Sequence, residues 1–154
     1  MDKLHIIDYN DQYASDFASL NKAWLQKYFV VEPIDDRMLA NPKHYFIDEG
    51  GLIFFAKINE KIAGTVALLK VSEGIFELSK MAVSEEFQGK KIGTKLLEHC
   101  LETARELKLK KVILYSNTKL ENAIHLYKKL GFIEVPLDEV EYKRANIKME
   151  IDIK

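Results

Sequence analysis

Residues 84–94 read Ser-Glu-Glu-Phe-Gln-Gly-Lys-Lys-Ile-Gly-Thr and join a run rich in Ile, Phe and Val to an amphipathic segment of helical period. Where a strand turns into a helix, several backbone N–H groups point outward without partners, and the helix dipole adds positive potential. Gly89 and Gly93 withhold side chains that would block a close approach, and Lys90 and Lys91 supply mobile positive charge. Binding of a phosphate suits such a turn. The alternative is a plain strand-to-helix turn with a solvated lysine pair, because short glycine-containing turns are common. Other reactive side chains promise less. Cys100 falls on the apolar face of its helix, where a buried, inert thiol is expected. His5, His44, His99 and His125 share no ligand spacing with one another or with the cysteine, so no metal site is expected.

The elements that must hold this turn follow from periodicity. Residues 3–9 read as an opening strand, and Asn10 and Asp11 offer N-caps for a helix through about Tyr28. Tyr13, Phe17, Leu20, Trp24 and Tyr28 recur at spacings of three and four and predict one apolar stripe. Residues 31–48 hold two of the three prolines and show no clear period, which predicts a short helix and loops. Runs 52–58, 62–71 and 75–83 are β-rich with short connections, as in an antiparallel meander. Ile92, Leu96, Leu97, Cys100, Leu101, Ala104 and Leu107 then share one helix face. Residues 111–116 form a strand, and Thr118 with Glu121 predicts a capping box for a helix whose apolar face is Leu120, Ala123, Ile124, Tyr127 and Leu130. Gly131 stops that helix, residues 132–135 form a strand, and the alternating Ile147, Met149, Ile151 and Ile153 predict a closing edge strand. A strand, helix and strand between Phe76 and Ser116 imply one parallel pair in an otherwise antiparallel sheet. Residues 1–154 are thus expected to form a single α/β (α+β) domain, a mixed sheet of about seven strands flanked by helices.

Three motifs in order carry a resemblance. The strand Leu-Ser-Lys-Met-Ala-Val (78–83), the turn Gln-Gly-Lys-Lys-Ile-Gly (88–93) and the helix Ala-Ile-His-Leu-Tyr-Lys-Lys-Leu-Gly-Phe (123–132) resemble the GNAT superfamily of acetyltransferases. The chain departs from the family pattern at Lys91, where glycine is usual, and at Leu120, where asparagine is frequent. If position 91 needs a positive φ, lysine there costs about 1 kcal/mol.

The resemblance implies an acyl-coenzyme A cleft between two splayed parallel strands. Met81, Ala82 and Val83 would pair with the pantetheine arm, and Gln88, Gly89, Lys90, Lys91, Ile92, Gly93 and Thr94 would hold the pyrophosphate. Asn117 and Asn122 stand in for the asparagine missing at 120. Glu77 is placed as general base acting through water, with water alone as the alternative, and Tyr127 as proton donor to the departing thiolate. Without the resemblance, Glu77 reads as an exposed or paired strand glutamate and Tyr127 as a core tyrosine. Trp24, Tyr28 and Phe29 read as core or groove wall, and His44, Tyr45 and Tyr142 as candidate acceptor contacts, with surface packing as the alternative.

The implied reaction is acetyl transfer from acetyl-CoA to a primary amine, a small-molecule or protein amine. A non-catalytic acyl-CoA-binding sensor is the alternative, and a purely structural domain the third. Composition narrows the rest. With 23 basic and 24 acidic residues, a net charge of −1 gives no global field for nucleic acid or a membrane surface. One cysteine and no signal-like or membrane-spanning stretch point to the cytoplasm. The last strand and the loop before it are a candidate homodimer surface.

Overall fold

The computed structural model describes residues 3–137 and 143–154. Among them are strands β1 (Leu4–Asp8), β2 (Leu52–Ile58), β3 (Lys61–Ser72), β4 (Ile75–Val83), β5 (Lys111–Ser116), β6 (Ile133–Val135) and β7 (Ile147–Asp152). The helices are α1 (Ala14–Tyr28), α2 (Pro33–Ala40), α3 (Ile92–Glu106) and α4 (Glu121–Lys129). The strands form one seven-stranded sheet in the order β1-β2-β3-β4-β5-β7-β6. β4 and β5 run parallel and every other neighbouring pair runs antiparallel.

Strand periodicity divides the core between the two faces of the sheet. On β2, Phe54 and Ala56 point to the face covered by α3 and α4, while Ile53 and Phe55 point to the face covered by α1 and α2. Phe17, Phe46 and Phe55 are fully buried on that second face, each contributing about 1.5–3 kcal/mol of transfer free energy. On the first face, α3 buries Ile92, Leu96, Leu97, Cys100, Leu101 and Ala104. Gly64 of β3 lets it settle: a Cβ there would lie 3.1 Å from Ile92 and 3.2 Å from Leu96.

Several local expectations are corrected. The closing strand is not an edge; β7 inserts between β5 and β6, so β6 is the exposed edge. The deep face of α1 is Phe17, Asn21 and Leu25, and Asn21 is tolerated there because its side-chain amide donates to the Phe17 carbonyl at 2.9 Å. Leu107 is 52% exposed, past the end of α3, and Leu109 takes the buried position. Thr118 does not cap α4: its hydroxyl accepts from Asn146, whose carbonyl oxygen accepts from the Thr118 amide. The aperiodic stretch after α1 contains α2 and a π-helical turn (Lys43–Ile47) that buries Phe46. No helix among the described residues is long and apolar enough to cross a membrane. Tyr142 lies outside the described residues.

Candidate active site

The site begins where the parallel ladder ends. β4 and β5 pair from Ile75↔Lys111 to Leu78↔Leu114 and no further. Beyond that point each strand stays with its outer neighbour: Ala82 and Val83 pair with Thr65 and Gly64 of β3, and Tyr115 and Ser116 with Lys148 and Ile147 of β7. The two central strands therefore part at their carboxyl ends, the position where open α/β sheets bind ligands. A β-bulge accompanies the parting. The register slips between Thr65↔Ala82 and Ala67↔Ser79, so that Lys80 and Met81 together stand opposite the single residue Val66, with Lys80 in the left-handed region at φ 52°.

A cavity of about 450 Å³ opens at the parting. Glu77, Lys80 and Met81 line it from β4, and Leu114, Tyr115 and Ser116 from β5. Asn21, Trp24, Leu25, Tyr28 and Phe29 form one wall, Asn117, Lys119, Leu120, Glu121, Asn122, Ala123 and Tyr127 another, and Arg144 and Ala145 complete it. Glu77 is 8% exposed and buried in the sheet. Tyr127 is equally buried, with its ring tilted against Phe132, and its hydroxyl has no hydrogen-bond partner among the described residues. Burial pushes its phenol up to about 12. Asn117 is committed at both ends: its amide donates to the Arg144 carbonyl at 2.7 Å and its oxygen accepts from the Lys119 amide. Asn122 is exposed on the rim. Lys119 donates to the Tyr28 carbonyl at 2.6 Å, with its ammonium 4.0 Å above the Phe29 ring.

The glycine-lysine turn lies outside this cavity, at the far end of β4. A 3₁₀ turn (Glu85–Phe87) leads into it, Gly89 takes φ 84°, and Lys91 takes φ 59°, ψ 30°, immediately before α3. The positive φ on which the cost of lysine depends is thus present. The amides of Gly89, Lys90, Lys91, Ile92, Gly93 and Thr94 donate to no protein acceptor among the described residues. A left-handed residue followed by helix turns successive amides toward one point, as in an anion nest. A Cβ on Gly89 or Gly93 would meet nothing within 4 Å, so the space in front of these amides is open. Lys90 and Lys91 are exposed beside it. Ala82 and Val83 connect the turn to the bulge, outside the cavity lining.

Sequence reasoning missed a buried ionic cluster on the cavity wall. Lys80 Nζ lies 2.6 Å from Asp35 Oδ1, with both side chains almost fully buried. Arg144 reaches both oxygens of Asp35, at 2.8 and 3.0 Å, and Glu32 at 3.0 Å. Asp35 also accepts from the Glu32 amide at 2.9 Å. Burial opposes ionisation of Asp35, but the hydrogen bonds from Arg144 and Lys80 outweigh it and hold the carboxyl below the usual range. Burial pushes the Lys80 ammonium below an ordinary lysine, against the support of Asp35. One local signal existed: the Glu-Pro-Ile-Asp run at 32–35 has proline at the first helical position and an acid two residues on. His44 and Tyr45 stack edge to face at 5.0 Å, away from the cavity. Cys100 is fully buried, and burial pushes its thiol far up. No three His, Cys, Asp or Glu side chains among the described residues are grouped to hold a metal ion.

Comparison with known proteins places this geometry. The model of the family described as "Acetyltransferase (GNAT) family" matches residues 17–132. The chain is 30% identical to rat N-acetyltransferase 8B over 111 residues, covering 69% of this chain and 50% of that protein. It spans about half the length of the vertebrate relatives it matches. An acetyltransferase of the GNAT family from Staphylococcus aureus Mu50 superposes with a TM-score of 0.88 at 24% identity, covering 99% of this chain and 100% of that one. A spermidine N-acetyltransferase from Vibrio cholerae, solved with CoA and spermine, superposes with a TM-score of 0.75 at 20% identity, covering 97% and 95%. At these identities the two structures share the fold.

Proposed function

The chain belongs to the acetyltransferase (GNAT) family, and on that basis we propose that it transfers an acetyl group from acetyl-coenzyme A to a primary amine by direct attack. The observation that carries the reading is the run of amides at 89–94 that meet no protein acceptor among the described residues, joined by one strand to a cavity that holds a carboxylate and a phenol. The diphosphate of the cofactor sits on these amides, with Gln88, Lys90 and Lys91 around it. The pantetheine arm follows β4 past Val83, Ala82 and Met81 and pairs with backbone that β5 has released, like an added strand. The Vibrio cholerae enzyme of this fold, solved with CoA, supports the same cofactor here.

The thioester then reaches the cavity, where a β4 amide faces its carbonyl oxygen. An amine attacks only when neutral, and Glu77, directly or through water, takes the proton that the ammonium must lose. The nitrogen bonds to the carbonyl carbon, the carbon–sulfur bond breaks while Tyr127 donates a hydrogen bond to the departing thiolate, and the proton that the acylated nitrogen sheds ends on that sulfur as the thiol. Asn122 flanks the cofactor's entry, and Asn117 holds the wall through Arg144. The aromatic shelf of Trp24, Tyr28 and Phe29 bounds the acceptor. A reducing cytoplasm suits the buried, unpaired Cys100.

Thiol release from acetyl-coenzyme A, assayed over polyamines, amino acids, lysine peptides and free peptide N-termini, tests the proposal. Turnover with at least one class is expected. Binding of the cofactor with no release for any amine would instead make the protein a sensor of acyl-coenzyme A.

A further inference from the structure

We propose that Lys80 is a positioning residue for acetyl transfer, anchored by Asp35 so that the β4 bulge stays fixed between the thioester and the acceptor wall. The inference rests on the acyl-transfer reading above. Three separate segments meet at this anchor. Lys80 comes from the bulge, Glu32 and Asp35 from the start of α2, and Arg144 from the segment before β7. The Lys143 amide adds a fourth tie, donating to Glu32 at 3.0 Å. Lys80 and Arg144 both line the cavity.

Two physical facts make a stabilising role a poor explanation. Burying an ion pair rarely repays the desolvation of both charges, and apolar replacements are often as stable. A lysine in the left-handed region is disfavoured, and such strain persists only where the surroundings over-determine it. Here the surroundings do so: the 2.6 Å contact to Asp35 fixes the far end of the side chain whose backbone is strained. The bulge in turn fixes Met81, the next residue, in the stretch that β5 has left. Loosening the anchor moves the backbone against which the thioester would lie. Among the described residues, the charged groups facing Lys80 include Asp35 from α2, Arg144 from the segment before β7, and Glu77 from its own strand.

Lys80→Met is the first test, because it leaves Asp35 paired with Arg144 and fills similar volume. With the fold verified by melting, kcat should fall roughly ten- to hundredfold, the scale expected of small misplacements. KM for acetyl-coenzyme A should stay within about threefold, since the diphosphate turn is untouched. Hydrogen exchange of amides 79–83 should quicken by roughly tenfold, with 52–58 and 92–106 unchanged. Unchanged exchange at 79–83 overturns the proposal, as does wild-type kcat. If the wild type releases no thiol with any amine, the acyl-transfer reading fails and the exchange comparison alone decides the anchor.

Asp35→Asn is the second variant and decides the matter if Lys80→Met does not fold. It withdraws the charge that supports the Lys80 ammonium, so activity should gain an alkaline limb, falling as pH rises through the lowered lysine value. A variant with wild-type kcat and no new limb also overturns the proposal.

Discussion

Replacing Tyr127 with phenylalanine removes one oxygen and leaves the ring packed on Phe132, with centroids 5.9 Å apart. Burial lifts the phenol to about 12, so it stays protonated at any working pH. Outright transfer of that proton to a thiolate of ordinary value, about 8.5, is uphill by roughly 3.5 units, or about 5 kcal/mol. In the proposed reaction the group would therefore act by donating a hydrogen bond as charge develops on sulfur. A hydrogen bond to a charged group contributes about 1.5–3 kcal/mol. At about 1.4 kcal/mol per tenfold, kcat of Tyr127→Phe should fall by roughly 10- to 150-fold. The melting temperature should hardly move, because the hydroxyl has no protein partner among the described residues. Continuous thiol release with a chromogenic disulfide measures kcat and KM together. A kcat within threefold of wild type, or a loss confined to KM, would refute a role at the leaving sulfur.

Lys91→Gly should relieve the positive φ of 59°, a gain of roughly 1–2 kcal/mol less the entropic penalty of glycine. A melting temperature higher by about 2–4 °C is expected, and a lower one would contradict the strain. The same variant should bind coenzyme A roughly two- to fivefold more weakly, as one exposed cation is lost. Glu77→Gln should lower kcat by roughly 10²–10⁴ with KM for acetyl-coenzyme A near wild type; a loss below tenfold would assign the base to water. Asp35 gives a pH test of stability. Its folded value is depressed, so its contribution is present above the unfolded value of about 3.9 and is lost as pH falls through the folded one. The gap in melting temperature between wild type and Asp35→Asn should narrow as pH drops below about 4, and a gap independent of pH would refute the ionised cluster.

How much was legible in the sequence depended on how local the cause was. The strands and α3 were readable because alternation and helical spacing act over a few residues, as in Phe54 and Phe55 pointing to opposite faces. The glycine-lysine turn between β4 and α3 was readable as a turn for the same reason. The deep face of α1 was misplaced because Asn21 interrupts an apolar pattern, and only its bond to the Phe17 carbonyl makes it tolerable inside. Strand order was not legible: nothing in residues 147–152 says that they slide between β5 and β6 rather than outside them. The ionic cluster was least legible of all. Asp35 meets Lys80 and Arg144 across 45 and 109 positions, and each reads locally as a solvated charge. The capping box failed through a similar long-range competitor, Asn146, which engages Thr118 from 28 positions away.

Titration calorimetry of the whole chain with acetyl-coenzyme A, beside acetyl-pantetheine, bears most directly on the grip that residues 89–94 are held to exert on a diphosphate. Saturable heat at one site for the full cofactor is expected, with the truncated thioester binding far more weakly. Equal affinity for the two, or no heat at millimolar acetyl-coenzyme A, would contradict the account.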